Sequence, residues 1–116
     1  MRIHHLALRV ADLERSAAFY ADLLGLPVLR RNLEGTRPRS LWLGVGEAVL
    51  MLELRLCGDG PTSGSGHVLA LAIDDLPAWE ARLHGAGIPV DARTQDTLYV
   101  RDPDGHRVGL SRHPLP

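Results

Sequence analysis

The chain contains an internal repeat, which constrains its fold more than any other feature of the sequence. Residues 5–13, HLALRVADL, align with residues 68–76, VLALAIDDL, at an offset of 63, and five of the nine positions are identical. Two further blocks follow in the same order. Residues 25–28 match 87–90 at an offset of 62, and residues 41–43 match 98–100 at an offset of 57. This order predicts two homologous modules, residues 1–56 and 67–113.

The length of the chain allows one domain that contains both modules. Its 116 residues, 45% of them hydrophobic and 23% charged, have the composition of a globular protein. Residues 57–66 contain four glycines and one proline, which is typical of a flexible connector. We therefore expect a single domain over residues 1–116, in which this hinge lets the modules pair within one chain or exchange between two chains.

Each module is predicted to form a strand, a helix and three further strands. Apolar and polar residues alternate over residues 3–10, and Asp12 suits the N-cap of a helix over residues 13–24. Asp75 is the equivalent cap in the second module. The later strands are predicted over residues 27–31, 40–45, 48–56, 89–93, 96–101 and 106–111, with a hairpin turn at 102–105. The fold class is therefore α+β, with two βαβββ modules.

Side-chain alternation divides each predicted sheet into a face packed against the helix and an open face. In the first strand Leu6 and Leu8 are expected to face the helix, whereas His5 faces the opposite way. An alignment of Leu-Glu-Leu with Val-Gly-Leu at an offset of 56 makes Glu53 equivalent to Gly109, both on open faces. We expect the two open faces to enclose a cavity. Its predicted lining consists of His5, Trp42, Met51, Glu53, Val68, Ala70, Tyr99 and Gly109.

Charge and cysteine content exclude several classes of protein. The 13 basic and 14 acidic side chains leave a net charge of -1, which argues against binding to nucleic acid, since that binding needs an excess of cations. The single cysteine, Cys57, cannot form an internal disulfide. No apolar run reaches the ~20 residues of a membrane span, and the N-terminus lacks the apolar segment of a signal peptide. We therefore expect a cytoplasmic protein with neither membrane nor nucleic acid as a partner.

Three segments carry a family resemblance. They are residues 5–16, with Phe19, Tyr20 and the Leu-Gly-Leu of 24–26 behind them, then residues 69–76, and finally residues 101–108, RDPDGHRV. Together they resemble the vicinal oxygen chelate superfamily, whose members include glyoxalase I, extradiol dioxygenases, fosfomycin-resistance thiol transferases and metal-free bleomycin-binding proteins. The resemblance implies paired βαβββ modules with sheets curved around a cavity, usually in a homodimer. It does not choose a reaction, because one fold hosts many chemistries.

The resemblance also identifies the positions that bind a divalent metal in the metal-using members, on the open faces of the first and last strands of each module. Carried to this chain, these positions are His5, Glu53, Val68 and Gly109. Valine and glycine cannot coordinate a metal, so only His5 and Glu53 remain, whereas a catalytic site normally has about three protein ligands. No cofactor is therefore expected, or at most a weakly bound zinc, nickel, manganese or iron ion. Tyr99 lies ten residues before Gly109. The resemblance implies a role for it, because fosfomycin-resistance enzymes have a substrate-contacting tyrosine at this spacing.

Two functions from different classes fit these residues. The first is a homodimeric protein that binds a small organic molecule, with Trp42 and Tyr99 as apolar walls and His5 and Glu53 as the few oriented polar groups. Its expected ligand-binding residues are Trp42, Met51, Tyr99, Val68 and Gly109. The alternative is a metal-dependent lyase, isomerase or dioxygenase in which His5 and Glu53 are catalytic and bind the metal. A third reading is metal-free proton transfer by the same pair, since histidine titrates near neutral pH.

Two further groups of residues have simpler interpretations. His4 lies next to His5, but adjacent strand residues face opposite ways, so the pair does not predict a metal cluster. Arg30 and Arg31, with Arg37 and Arg39, form a basic stretch. We interpret this stretch as a solvated face, or alternatively as the rim of a cavity that attracts anions.

Overall fold

The computed structural model describes residues 1–55 and 67–116 of the chain. It separates into two units, Met1–Gly60 and Pro61–Pro116, and each unit holds one copy of the repeat. The predicted hinge at 57–66, with Cys57, lies outside the described residues, as does the last residue of the strand predicted over 48–56.

The first unit has the predicted order of elements. Strand β1 is followed by helix α1, whose last part is π-helical, and then by strands β2, β3 and β4. The sheet order is β1-β4-β3-β2, with β1 parallel to β4 and the other pairs antiparallel. The bounds are His5–Arg9 for β1, Leu13–Ala17 and the π-helical Ala18–Leu23 for α1, Val28–Glu34 for β2, Arg37–Val45 for β3 and Ala48–Glu53 for β4.

The second unit repeats this topology. Its sheet order is β5-β8-β7-β6, again with the first strand parallel to the last and the other pairs antiparallel. The bounds are Leu69–Ala72 for β5, Leu76–Gly85 for α2, Ala92–Arg93 for β6, Thr97–Arg101 for β7 and Arg107–Ser111 for β8. The prediction of an α+β fold with two βαβββ modules is therefore confirmed.

Both helices begin where the sequence predicts. The carboxylate of Asp12 accepts a hydrogen bond from the backbone N–H of Arg15 at 3.0 Å, and Asp75 accepts one from Ala78 at the same distance. These bonds satisfy backbone donors that have no partner within the first turn of a helix. Gly25 follows α1 with a φ of 76°, a left-handed conformation that glycine adopts without strain.

The core of each unit lies between its helix and one face of its sheet. In the first unit Leu8 and Tyr20 are buried, and in the second Leu83 and Val108 are fully buried. Leu6 shares the core face with Leu8, two residues further along β1, as predicted, but its side chain remains 41% exposed. The physical reason is that β1 is an edge strand, and α1 starts only after its far end. Within the described residues no helix is long and apolar enough to cross a membrane.

Candidate functional site

The open face of the first sheet is organised in rows across the strands. His5 lies beside Val49, and two residues further along β4, Met51 lies beside both Ala7 of β1 and Trp42 of β3. Another two residues along, Glu53 lies beside Arg9 and Ser40. Because neighbours in a row project from the same face of a sheet, His5, Met51, Trp42 and Glu53 share the open face, as predicted.

The open face of the second sheet has one well-defined row. Gly109 of β8 lies beside Ala70 of β5 and beside Tyr99 of β7, which in turn lies beside Ala92. A Cβ atom placed on Gly109 would be 3.3 Å from Cε1 of Tyr99 and 3.5 Å from Cγ1 of Val68. The tyrosine ring therefore packs over Gly109, in the direction that a side chain at this position would take.

Comparison of the two registers corrects one predicted equivalence. Ala7 and Ala70 match in the repeat, and their partners on the last strands are Met51 and Gly109. Trp42 and Tyr99 also match, and they lie beside the same two residues. Met51 is thus the equivalent of Gly109, and the alignment that assigned this place to Glu53 is wrong by two residues. A slip of two residues leaves the alternation of apolar residues unchanged, so the sequence pattern did not reveal it.

The structure does not bring His5 and Glu53 together. Val49, the neighbour of His5, is four residues before Glu53 on the same strand, which corresponds to roughly 13 Å along the strand. Met51 is only two residues from Val49, or roughly 7 Å. The register therefore places residue 51, rather than residue 53, close enough to His5 for the two side chains to bind the same group.

Glu53 has a different partner in the structure. The indole N–H of Trp42 donates a hydrogen bond to Oε1 of Glu53 at 3.3 Å, and both side chains are half-buried. Arg9 lies beside Glu53 in the strand register, whereas Arg55 is 3.7 Å from the carboxylate of Glu34. The hydrogen bond orients the tryptophan ring on the open face.

His4 and His5 lie together, contrary to the expectation that adjacent residues face opposite ways. Their Nδ1 atoms are 2.8 Å apart and their ring centroids 5.1 Å apart. The reason is that β1 begins at His5, so His4 precedes the strand and does not follow its alternation. Both residues are exposed.

Each aromatic residue of the open faces has an arginine over its ring. The guanidinium of Arg30 lies 5.4 Å from the ring centroid of Trp42, and that of Arg107 lies 4.3 Å from the ring centroid of Tyr99. Both distances are within the range of cation–π attraction. Sequence reasoning missed both contacts, although the position of Arg30 opposite Trp42 would follow from a correct pairing of β2 with β3.

The residues at the positions that the family resemblance assigns to a metal do not fit a divalent metal site. With the corrected register these positions are His5, Met51, Val68 and Gly109, which offer one imidazole and one thioether. Thioethers suit soft metals such as Cu(I) rather than the divalent ions of a lyase or dioxygenase. Residues 1–55 and 67–116 contain no group of three or more His, Cys, Asp or Glu side chains that could hold a metal. No catalytic step through a metal follows from this set of donors.

Comparisons with known proteins agree on one family. Residues 2–110 match the family model of the Glyoxalase/Bleomycin resistance protein/Dioxygenase superfamily. The sequence is 36% identical to a lactoylglutathione lyase of Escherichia coli O157:H7 and 35% identical to one of Salmonella typhimurium, and each alignment covers 95% of this chain and 91% of the relative. The solved structure of TnmS3, an antibiotic binding protein from Streptomyces sp. CB03234, superposes with a TM-score of 0.77 at 25% identity, over 96% of this chain and 94% of that chain.

Proposed function

Because the chain belongs to the glyoxalase/bleomycin resistance protein/dioxygenase superfamily, we propose that it binds a small organic molecule on the open faces of its sheets without a complete metal site. The family predicted from the sequence is thereby confirmed. The observation that carries the proposal is the set of side chains at the family's metal positions, where His5 and Met51 are accompanied by Val68 and Gly109. This set supports binding better than metal-dependent catalysis.

The open faces have the mixture of groups that small-molecule sites use, a largely apolar surface with few polar groups. On the first sheet, Trp42 and Met51 are half-buried neighbours that provide apolar contact, and His5, Glu53 and Arg30 are among the polar groups. Glu53 holds the indole of Trp42 by a hydrogen bond, so the aromatic wall is fixed before a ligand arrives. A fixed wall reduces the entropy that binding would otherwise cost.

On the second sheet, the small residues around Gly109 provide a shallow floor and Tyr99 provides the wall. Val68 and Ala70 border Gly109, and none of the three carries a polar side chain. The likeness to an antibiotic binding protein supports a binding role for such a surface.

The alternative is a metal-dependent lyase, isomerase or dioxygenase, which the similarity to lactoylglutathione lyases favours. In that case His5 would be a ligand, and His4, whose Nδ1 lies 2.8 Å from that of His5, would be its nearest neighbour able to bind metal. Glu53 would need to reach the metal from a position four residues along β4 from Val49, the neighbour of His5.

The experiment that separates these functions measures metal content and ligand binding on one preparation of tag-free protein. The protein is incubated with Ni²⁺, Zn²⁺, Mn²⁺ or Fe²⁺, desalted and analysed by mass spectrometry, with a His5→Ala variant alongside. We expect no retained metal. We also expect compounds from a library of small organic molecules to raise the melting temperature equally with and without a chelator. Stoichiometric metal that is lost in the His5→Ala variant would contradict the proposal and favour the alternative.

We further propose that the protein is a cytoplasmic homodimer. Three apolar side chains of the edge strand β2 support a dimer, because Val28 is 40%, Leu29 58% and Leu33 61% exposed. An edge strand with exposed apolar side chains offers a second chain both unpaired backbone groups and apolar surface.

A further inference from the structure

We infer that the ligand is an organic anion with a planar aromatic body, and that Arg30 binds its anionic group beside Trp42. This inference rests on the proposed binding function and names the chemical class of the ligand. It follows from the charge of the open face of the first sheet and from the placement of Arg30 over an aromatic ring.

Arg30 is the cation of this face that lacks an acidic partner within residues 1–55 and 67–116. Its position on β2 is beside Trp42, and its guanidinium lies 5.4 Å from the centroid of that ring. The face also carries one charge of each sign on Arg9 and Glu53, which lie beside each other in the register of β1 and β4. The face therefore carries one positive charge more than it carries negative charges.

A guanidinium that lies against an aromatic ring is prepared to bind an anion. The ring covers part of its surface, so less water must be removed when a ligand arrives. The remaining N–H groups form a planar fork that matches the two oxygens of a carboxylate. Trp42 and Met51, in the same row of the sheet, provide apolar surface for the body of the ligand.

The second unit shows the same association of arginine with an aromatic residue, but from a different strand. Arg107 lies on β8, and its guanidinium is 4.3 Å from the ring centroid of Tyr99, with about a third of the side chain exposed. Its Nε is buried without a hydrogen bond and lies 3.8 Å from Asp91, whose carboxylate already accepts a bond from Arg101 at 3.2 Å. Since Arg30 lies on β2, the repeat does not account for both pairs. Asp91 supplies a negative charge to Arg107, whereas no acidic side chain within residues 1–55 and 67–116 does so for Arg30, and this difference assigns the anionic group of the ligand to Arg30.

The test uses three probes that share one ring system and differ in charge: naphthoate, its neutral amide naphthamide, and the cationic naphthylmethylamine. Binding to the full chain is measured by isothermal titration calorimetry. We expect naphthoate to bind about tenfold more tightly than naphthamide, because a charge-assisted hydrogen bond is worth about that much. An Arg30→Gln variant should lose this preference while it still binds the neutral probe.

Arg31→Gln is the matched control. Arg31 is the next residue of β2, is exposed, and lies beside Leu41, whose buried side chain packs on the opposite face of the sheet. The control variant has the same change in net charge, so it should keep the preference for naphthoate. Circular dichroism of both variants checks that they are folded.

The outcomes separate this inference from the proposed function. Equal binding of naphthoate and naphthamide, or tighter binding of the amine, would overturn the anionic class and leave a small-molecule site in place. A preference that survives in Arg30→Gln and disappears in Arg107→Gln would overturn the assignment to Arg30. Failure of all three probes to bind, together with a library in which no compound raises the melting temperature, would overturn both proposals.

Discussion

His5 lies beside Val49 of β4. Met51 is two residues further along that strand, whereas Glu53 is four residues further along. This difference decides which side chain could share a ligand with the histidine. A metal bound by imidazole and carboxylate has its donor atoms at about 2 Å, so both side chains must converge on one point. Residue 51 is at a distance from which they can converge, and it is a methionine.

The first prediction is that a Met51→Glu substitution creates metal binding that the native chain lacks. We expect the variant to retain Ni²⁺ after desalting at roughly tenfold above the background of the native chain, a change comparable to the effect of groups that support a metal ligand. The double variant His5→Ala, Met51→Glu should return to the native level, because the imidazole is then absent. Metal content by mass spectrometry gives the readout. A rise that survives removal of His5 would show that residue 51 recruits other donors and would contradict the register argument.

At this scale the sequence predicted the faces correctly and one equivalence incorrectly. The alternation of side chains, which has a period of two, correctly predicted that His5, Trp42 and Tyr99 lie on the open faces. The equivalence of Glu53 with Gly109 failed because a shift of two residues preserves that alternation, and only the pairing of strands distinguishes the two alignments. The hydrogen bond from Trp42 to Glu53 depends on the same strand pairing, so the sequence alone could not predict it either.

The two helices begin at aspartates because a carboxylate can accept the backbone N–H groups that the first turn leaves free. The second prediction is that Asp75→Ala lowers the free energy of unfolding by about 1 kcal/mol, through loss of the bond from the Ala78 N–H. Asp74→Ala removes the neighbouring exposed carboxylate and is the control, with an expected change within about 0.5 kcal/mol. Urea denaturation measures both variants. Equal destabilisation by the two substitutions would mean that charge, rather than capping, is responsible.

Strand bounds were less predictable than helix starts, because a strand depends on its partner. The prediction of 27–31 ended β2 before its last residues, but pairing with β3 continues to Glu34 opposite Arg37. Pro38 lacks a backbone N–H, and it is accommodated where the register shifts between Asn32 and Leu33. Similarly, the strand predicted over 89–93 is reduced to Ala92–Arg93.

At the scale of the whole molecule, the repeat determines the topology but not the chemistry of each copy. Both units place their first strand beside their last and carry an aromatic residue in the same row. The groups around that row differ, since Met51 and Arg30 border Trp42, whereas Gly109 and Arg107 border Tyr99. Sequence comparison of the copies could therefore predict where the open faces lie, but not which arginine reaches each ring.

The final prediction concerns association of two chains through β2. This strand is at the edge of the first sheet, and its exposed apolar side chains would be solvated in a single chain. Light scattering after size exclusion should give twice the chain mass of 12.7 kDa. Leu33→Asp, which places a charge on the edge strand at a side chain now 61% exposed, should shift the protein toward the mass of one chain without unfolding it. Leu115→Asp adds the same charge at a side chain that is 84% exposed near the end of the chain, and it should leave the mass unchanged.

A native protein with the mass of a single chain would contradict the dimer. A dimer that persists in Leu33→Asp would show that the interface does not include this part of β2.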